Sequence, residues 1–156
     1  MTPDQTAELI CSELKEKGYR GAVVPIEHVA QLKYEIEENI SQGRIDAGLH
    51  EEYLTHFRFD VAATLQGACS VIITAAPQPQ RRVTFHFNGQ TYPVVIPPHY
   101  HRDTDNAISE ILENTLNSSG YRFHPVALPL KLLAVCSGMA KYGKNNIAYV
   151  EGLGSF

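Results

Sequence analysis

The chain is 156 residues long, 44% hydrophobic and 19% charged, with a formal net charge of -4. That is the size and mixture of one ordinary globular domain over residues 1–156, able to bury a core without disulfides or metals, and it excludes a disordered chain. The acidic balance and the single Arg81-Arg82 pair give no basic stripe for a phosphate backbone, so nucleic acid is not the expected partner, although an RNA-modifying protein can work through a local patch.

Thr2 is placed to cap a helix that starts at Pro3 and carries Ala7, Ile10, Cys11 and Leu14 at helical spacing until Gly18 stops it. Acidic residues run through this N-terminal stretch, and no apolar run precedes a cleavage site. No later segment reaches the roughly 20 apolar residues of a membrane span, so the expectation is a soluble, cytoplasmic protein with no membrane partner. Gly21 to Val24 predicts a short strand, and Ile26 to Ile40 a second helix through Val29, Leu32, Ile36 and Ile40. The segment 44–59 reads as a short helix followed by loop.

Ala68 to Ala75, ACSVIITA, is compact and β-branched between Gly67 and Pro77, as expected of a buried strand at the centre of a sheet. From Val83 to Ile96 two alternating runs flank Asn88-Gly89, the pair favoured in a two-residue type I′ turn. This hairpin sets Phe85 opposite Tyr92 and Val83 opposite Val94, and Pro93 assigns the second strand to an edge or a bulge. Helices over Thr104 to Leu116 and Leu130 to Ala140 complete an α+β chain with an antiparallel-rich sheet.

Candidate chemistry is sparse until the C-terminus. His99 and His101 could chelate a metal from an extended segment, but no third ligand stands at a diagnostic spacing, so no metal site is expected. Cys11, Cys69 and Cys136 form no CxxC pair and are expected to pack as small apolar groups. Tyr100 and His124 read, on the residues alone, as a half-buried aromatic and a hydrogen-bonded histidine. The last twenty residues, SGMAKYGKNNIAYVEGLGSF, crowd four glycines, two asparagines and a lysine into a region that is neither a plain helix nor a linker. Such a segment can present backbone N–H groups, an ammonium and carboxamides to a large ligand bearing amides and a phosphate. The plainer alternative has Gly138 ending a helix and Asn145-Asn146 making a turn.

The stretch LAVCSGMAKYGKNNIAYVEGLGSF, Leu133 to Phe156, resembles the GKN-containing segment of epoxyqueuosine reductases and of iron-sulfur proteins related to reductive dehalogenases. It joins a small-Gly pair, Gly143-Lys144-Asn145 and a Gly-Ser-Phe close; a strand-Ala-Pro segment at 71–77 and the pair Tyr100-His101 match more loosely. The resemblance implies the cobalamin-binding part of such a reductase, with a fold similar to flavin nitroreductases. Cobalamin would lie base-off over the sheet, and electrons would arrive from two four-iron-four-sulfur clusters on a ferredoxin-like module. It also implies that Gly138, Gly143, Lys144, Asn145 and Ser155 bind the cofactor and that Tyr100 lies near it.

Two departures qualify these expectations. The cluster cysteines, spaced CxxCxxCxxxCP, would begin shortly after the Gly-Ser-Phe close, whereas the sequence ends at Phe156. The expectation is therefore either a trimmed polypeptide or a natural short form, dependent on a separate cluster module and inactive in redox turnover by itself. Counting back without gaps from Gly138 puts His124 where the family has an acidic proton donor. Histidine can donate a proton near neutral pH, but the departure puts epoxyqueuosine itself in doubt as the substrate and leaves a small molecule or a modified nucleoside. Two alternatives from other classes stand beside this reading: a flavin-binding nitroreductase-like domain, and an interaction domain that keeps the fold without a cofactor.

Overall fold

The computed structural model describes residues 2–77, 81–96 and 102–155. The chain is a mixed α/β structure with small antiparallel sheets. Helix α1, Pro3–Glu16, starts in a complete capping box: Thr2 Oγ1 accepts the Gln5 N–H, and Gln5 Oε1 accepts the Thr2 N–H at 2.9 Å. Gly18, at φ +81, ends it and turns the chain into β1, Arg20–Pro25.

Strand β1 pairs antiparallel with β2, Ser70–Ala75, in the register Arg20↔Ala75 to Pro25↔Ser70. This ribbon is covered on both faces. On one side Val24, Ile73 and Ala75 join Val29 and Leu32 of α2, Glu27–Ser41, and Leu133 of α6, Leu130–Cys136. On the other, Ile72 packs against Ile10 and Leu14 of α1 and Leu112 and Leu116 of α5, Arg102–Ser118. Double coverage explains why Val71, Ile72 and Ile73 are apolar in succession rather than alternating with polar residues. The expectation that this strand is the centre of a sheet is corrected: among the described residues its sheet holds only β1 and β2, which leaves one edge of β2 without a partner strand there.

The segment after α2 forms a short helix α3, Ala47–Leu49, capped by Asp46 and continued as a wider π-type turn through Leu54. A further short helix, α4, Val61–Thr64, is capped by Asp60, whose Oδ1 accepts the Ala63 N–H at 3.2 Å.

Strands β3, Arg81–Phe87, and β4, Gln90–Ile96, form the expected hairpin, with Phe85 opposite Tyr92 and Val83 opposite Val94. Asn88 at φ +49 and Gly89 at φ +74 supply the two left-handed residues of a type I′ turn. Phe85 and Phe87 are more than half exposed, so the apolar face of this hairpin is uncovered among the described residues.

Helix α6 ends at Cys136, four residues before the expected Ala140. Gly138 is left-handed at φ +76, and the Ala140 N–H folds back to the Ala134 carbonyl at 2.9 Å, which closes the helix. The chain then makes a three-stranded antiparallel sheet from β5, Lys141–Tyr142, β6, Ala148–Val150, and β7, Gly154–Ser155. No helix among the described residues is long and apolar enough to cross a membrane.

Candidate functional site

The free edge of β2 is the floor of a cavity. Ile26 donates its N–H to the Cys69 carbonyl at 3.1 Å, so Cys69, Val71, Ile73 and Ala75 turn their backbone groups toward β1. Ser70, Ile72 and Thr74 therefore turn theirs outward, and no partner takes them among the described residues. Along this edge runs a groove of about 460 Å³, walled by Ile108 and Leu112 of α5, Leu130 and Leu133 of α6, and Val61 and Leu65 of the α4 region. An aliphatic trough with a row of backbone donors and acceptors along one wall suits a flat ligand with an apolar body and polar edges.

A second cavity of about 490 Å³ adjoins the first, and Thr64, His124, Pro125 and Val126 line both. Its remaining wall is polar, with Arg58 and Asp60. The Arg58 N–H donates to the Ala127 carbonyl at 2.7 Å, which clamps the segment before α4 to the segment carrying His124. The expected catalytic histidine therefore stands at the border between an apolar groove and a polar alcove. Its imidazole has no hydrogen-bond partner among the described residues, which corrects the plainer expectation of a hydrogen-bonded structural histidine.

The glycine-rich C-terminal segment lies elsewhere. Lys144 and Asn145 sit in the tight turn between β5 and β6 and line none of the cavities described here. Asn145 Oδ1 accepts the Ile147 N–H at 3.3 Å, the Gly143 N–H donates to the Ile147 carbonyl at 2.9 Å, and Asn146 takes φ +59. A Cβ on Gly143 would stand 3.2 Å from that Asn145 oxygen, so glycine fits by close approach. Gly143 and Asn145 thus build the turn, Gly138 ends α6, and Lys144 is left exposed. Ser155 contributes backbone pairing to Tyr149. Tyr100, with His99 and His101, lies outside the described residues.

The cysteines depart from expectation. Cys11 is half-buried, its thiol set 3.5 Å from the Gly21 carbonyl, and burial pushes the thiol pKa up. Cys69 and Cys136 are exposed. Cys69 precedes β2 beyond the Gly67 turn, and Cys136 closes α6, whose buried residues are Leu133 and Ala134. Among the described residues no three His, Cys, Asp or Glu side chains form a group that could hold a metal ion. Sequence reasoning missed Arg58, Thr64 and the β2 edge, because nothing in their spacing marks them and only the fold joins them to His124.

Comparison with family models, with curated proteins and with solved structures found no match to the chain.

Proposed function

We propose that the chain is a cobalamin-binding module of a corrinoid- and iron-sulfur-dependent reductase related to epoxyqueuosine reductase. The observation that carries this reading is the groove along the free edge of β2, with His124 at its border. A corrin is a broad ring with amide side chains around its rim. The aliphatic walls suit the ring, and the outward N–H and C=O groups of Ser70, Ile72 and Thr74 suit the amides. Likeness of Leu133 to Phe156 to the family's GKN segment supports the choice of a corrinoid over other flat ligands.

The two strands of support meet in α6. Leu130 and Leu133 wall the groove, and the end of the same helix feeds Gly138 and the turn that holds Lys144. Bound cobalamin supplies a cobalt centre for electron transfer. The chain's own part is to seat the ring against α5 and α6, to exclude water with those side chains, and to hold a proton donor at His124. Electrons would come from a ferredoxin-like cluster module, and a nitroreductase-like arrangement of the fold belongs to the same proposal.

Equilibrium titration with aquacobalamin, followed by the visible spectrum, tests this. Saturable binding that weakens when Leu130 is replaced by Ala supports the groove; a spectrum unchanged by folded protein rejects it. Flavin is the second reading, favoured by the same flat aliphatic trough, and saturable quenching of riboflavin fluorescence without corrinoid binding would select it.

A further inference from the structure

The geometry points to a phosphate subsite in the polar alcove, formed by Arg58, His124 and Thr64, that reads a phosphate ester on the ligand whose body fills the groove. This rests on the reading of the groove as a ligand site and goes beyond it by naming the group that is recognised.

Arg58 carries the argument. Its guanidinium makes no ion pair or hydrogen bond among the described residues. Asp60 also lines the alcove; its Oδ1 accepts the Ala63 N–H at 3.2 Å, and no ion pair joins it to Arg58 among the described residues. A planar cation that makes no ion pair among the described residues, lining one alcove with an imidazole and a hydroxyl, is a donor set matched to the oxygens of a phosphate. Position supplies the rest. His124 and Thr64 line both cavities, so they stand where a ligand lying along α5 and the β2 edge would extend toward Arg58. The backbone clamp from Arg58 to Ala127 holds the two walls of the alcove together without using the guanidinium. Lys144, expected from the resemblance to bind the cofactor, lines neither cavity.

Two ligand pairs differ in this group. Cobalamin carries a phosphodiester in its nucleotide tail, and cobinamide lacks that phosphate together with the ribose and base; flavin mononucleotide carries a phosphate monoester and riboflavin none. Dissociation constants for all four are to be measured with the full chain and with Arg58→Gln, whose exposed side chain takes no part in the fold. The expected result is that the phosphate-bearing member of a pair binds about tenfold more tightly than its partner, and that Arg58→Gln removes this ratio without changing the affinity of the phosphate-free member. Discrimination within the flavin pair alone would keep the subsite and reject the corrinoid. Equal affinities within every pair that binds, or a ratio unchanged in Arg58→Gln, would overturn the subsite while leaving the groove. Inorganic phosphate, followed at the His124 ring protons by NMR, tests the alcove with the groove empty. A saturable shift lost in Arg58→Gln is expected, and no shift, with none of the four ligands bound, overturns subsite and groove together.

Discussion

Two leucines three residues apart on α6 separate the fold from the site. Leu133 is 2% exposed and Leu130 is 64% exposed, yet both wall the groove. Leu133 packs into the cluster of Val29, Leu32 and Ile73, so Leu133→Ala removes buried methyl groups and leaves a cavity, at a cost of about 2–5 kcal/mol. For a domain with a total of about 5–15 kcal/mol, that is a large share. Leu130 buries little in the free protein, and Leu130→Ala is expected to change stability by less than about 0.5 kcal/mol. If cobalamin occupies the groove, the same leucine would cover it, and losing its aliphatic surface at about 0.8 kcal/mol per buried methylene should weaken cobalamin binding by roughly tenfold. Urea unfolding of the two variants at unchanged m-value gives the stabilities, and visible-spectrum titration gives the affinities. If Leu130→Ala destabilised the free protein as much as Leu133→Ala, the groove would already be filled and the reasoning would fail.

Gly21 lies where α1 presses on β1: a Cβ there would stand 2.6 Å from Leu14 Cδ1, and Leu14 is fully buried. Gly21→Ala should therefore cost about 1–3 kcal/mol, and the cost should shrink when Leu14 is also Ala; strict additivity in the double-mutant cycle would refute the clash. In the β5–β6 turn, Asn145→Ala loses the bond to the Ile147 N–H and should cost about 0.5–1.5 kcal/mol, whereas Lys144→Ala should leave the melting temperature unchanged. Thermal unfolding of both decides it, and equal losses would contradict the assignment. Thiol labelling should find Cys69 and Cys136 fast and Cys11 slow. Because burial raises the Cys11 pKa above its ordinary 9.0, its thiolate is scarcer than theirs at mild alkaline pH, and its contribution to stability is intact below that value and lost as pH rises past it toward the folded pKa. A Cys11→Ser variant should flatten that alkaline decline, and an unchanged decline would count against it.

Local grammar was legible where it is local. The Thr2 cap, the Asn88-Gly89 turn and the pairing of Phe85 with Tyr92 follow from residue types within a few positions of one another, and the structure carries them as expected. The apolar run of β2 announced burial on both faces but not the number of neighbours, because a strand sandwiched between helices reads alike whether one or two strands flank it. That ambiguity hid the groove, which is the space beside the free edge. The end of α6 was misread because Leu130 to Ala140 stays apolar past the point where Gly138 reverses the backbone. As for the site, His124 was reached by counting from Gly138, and it does border a cavity. Arg58, sixty-six positions earlier by residue number, had no such signal; a backbone bond to Ala127 brings it there. The GKN segment drew attention as a ligand loop, yet Gly143 and Asn145 are occupied with making the turn itself.

The most direct test of the central claim is an anaerobic titration of the purified chain with cob(II)alamin, read by electron paramagnetic resonance together with the visible spectrum. The account predicts saturable binding with loss of the lower-base nitrogen coupling, weakened in Leu130→Ala. A signal that keeps that coupling at all protein concentrations, from a chain shown to be folded, would contradict it.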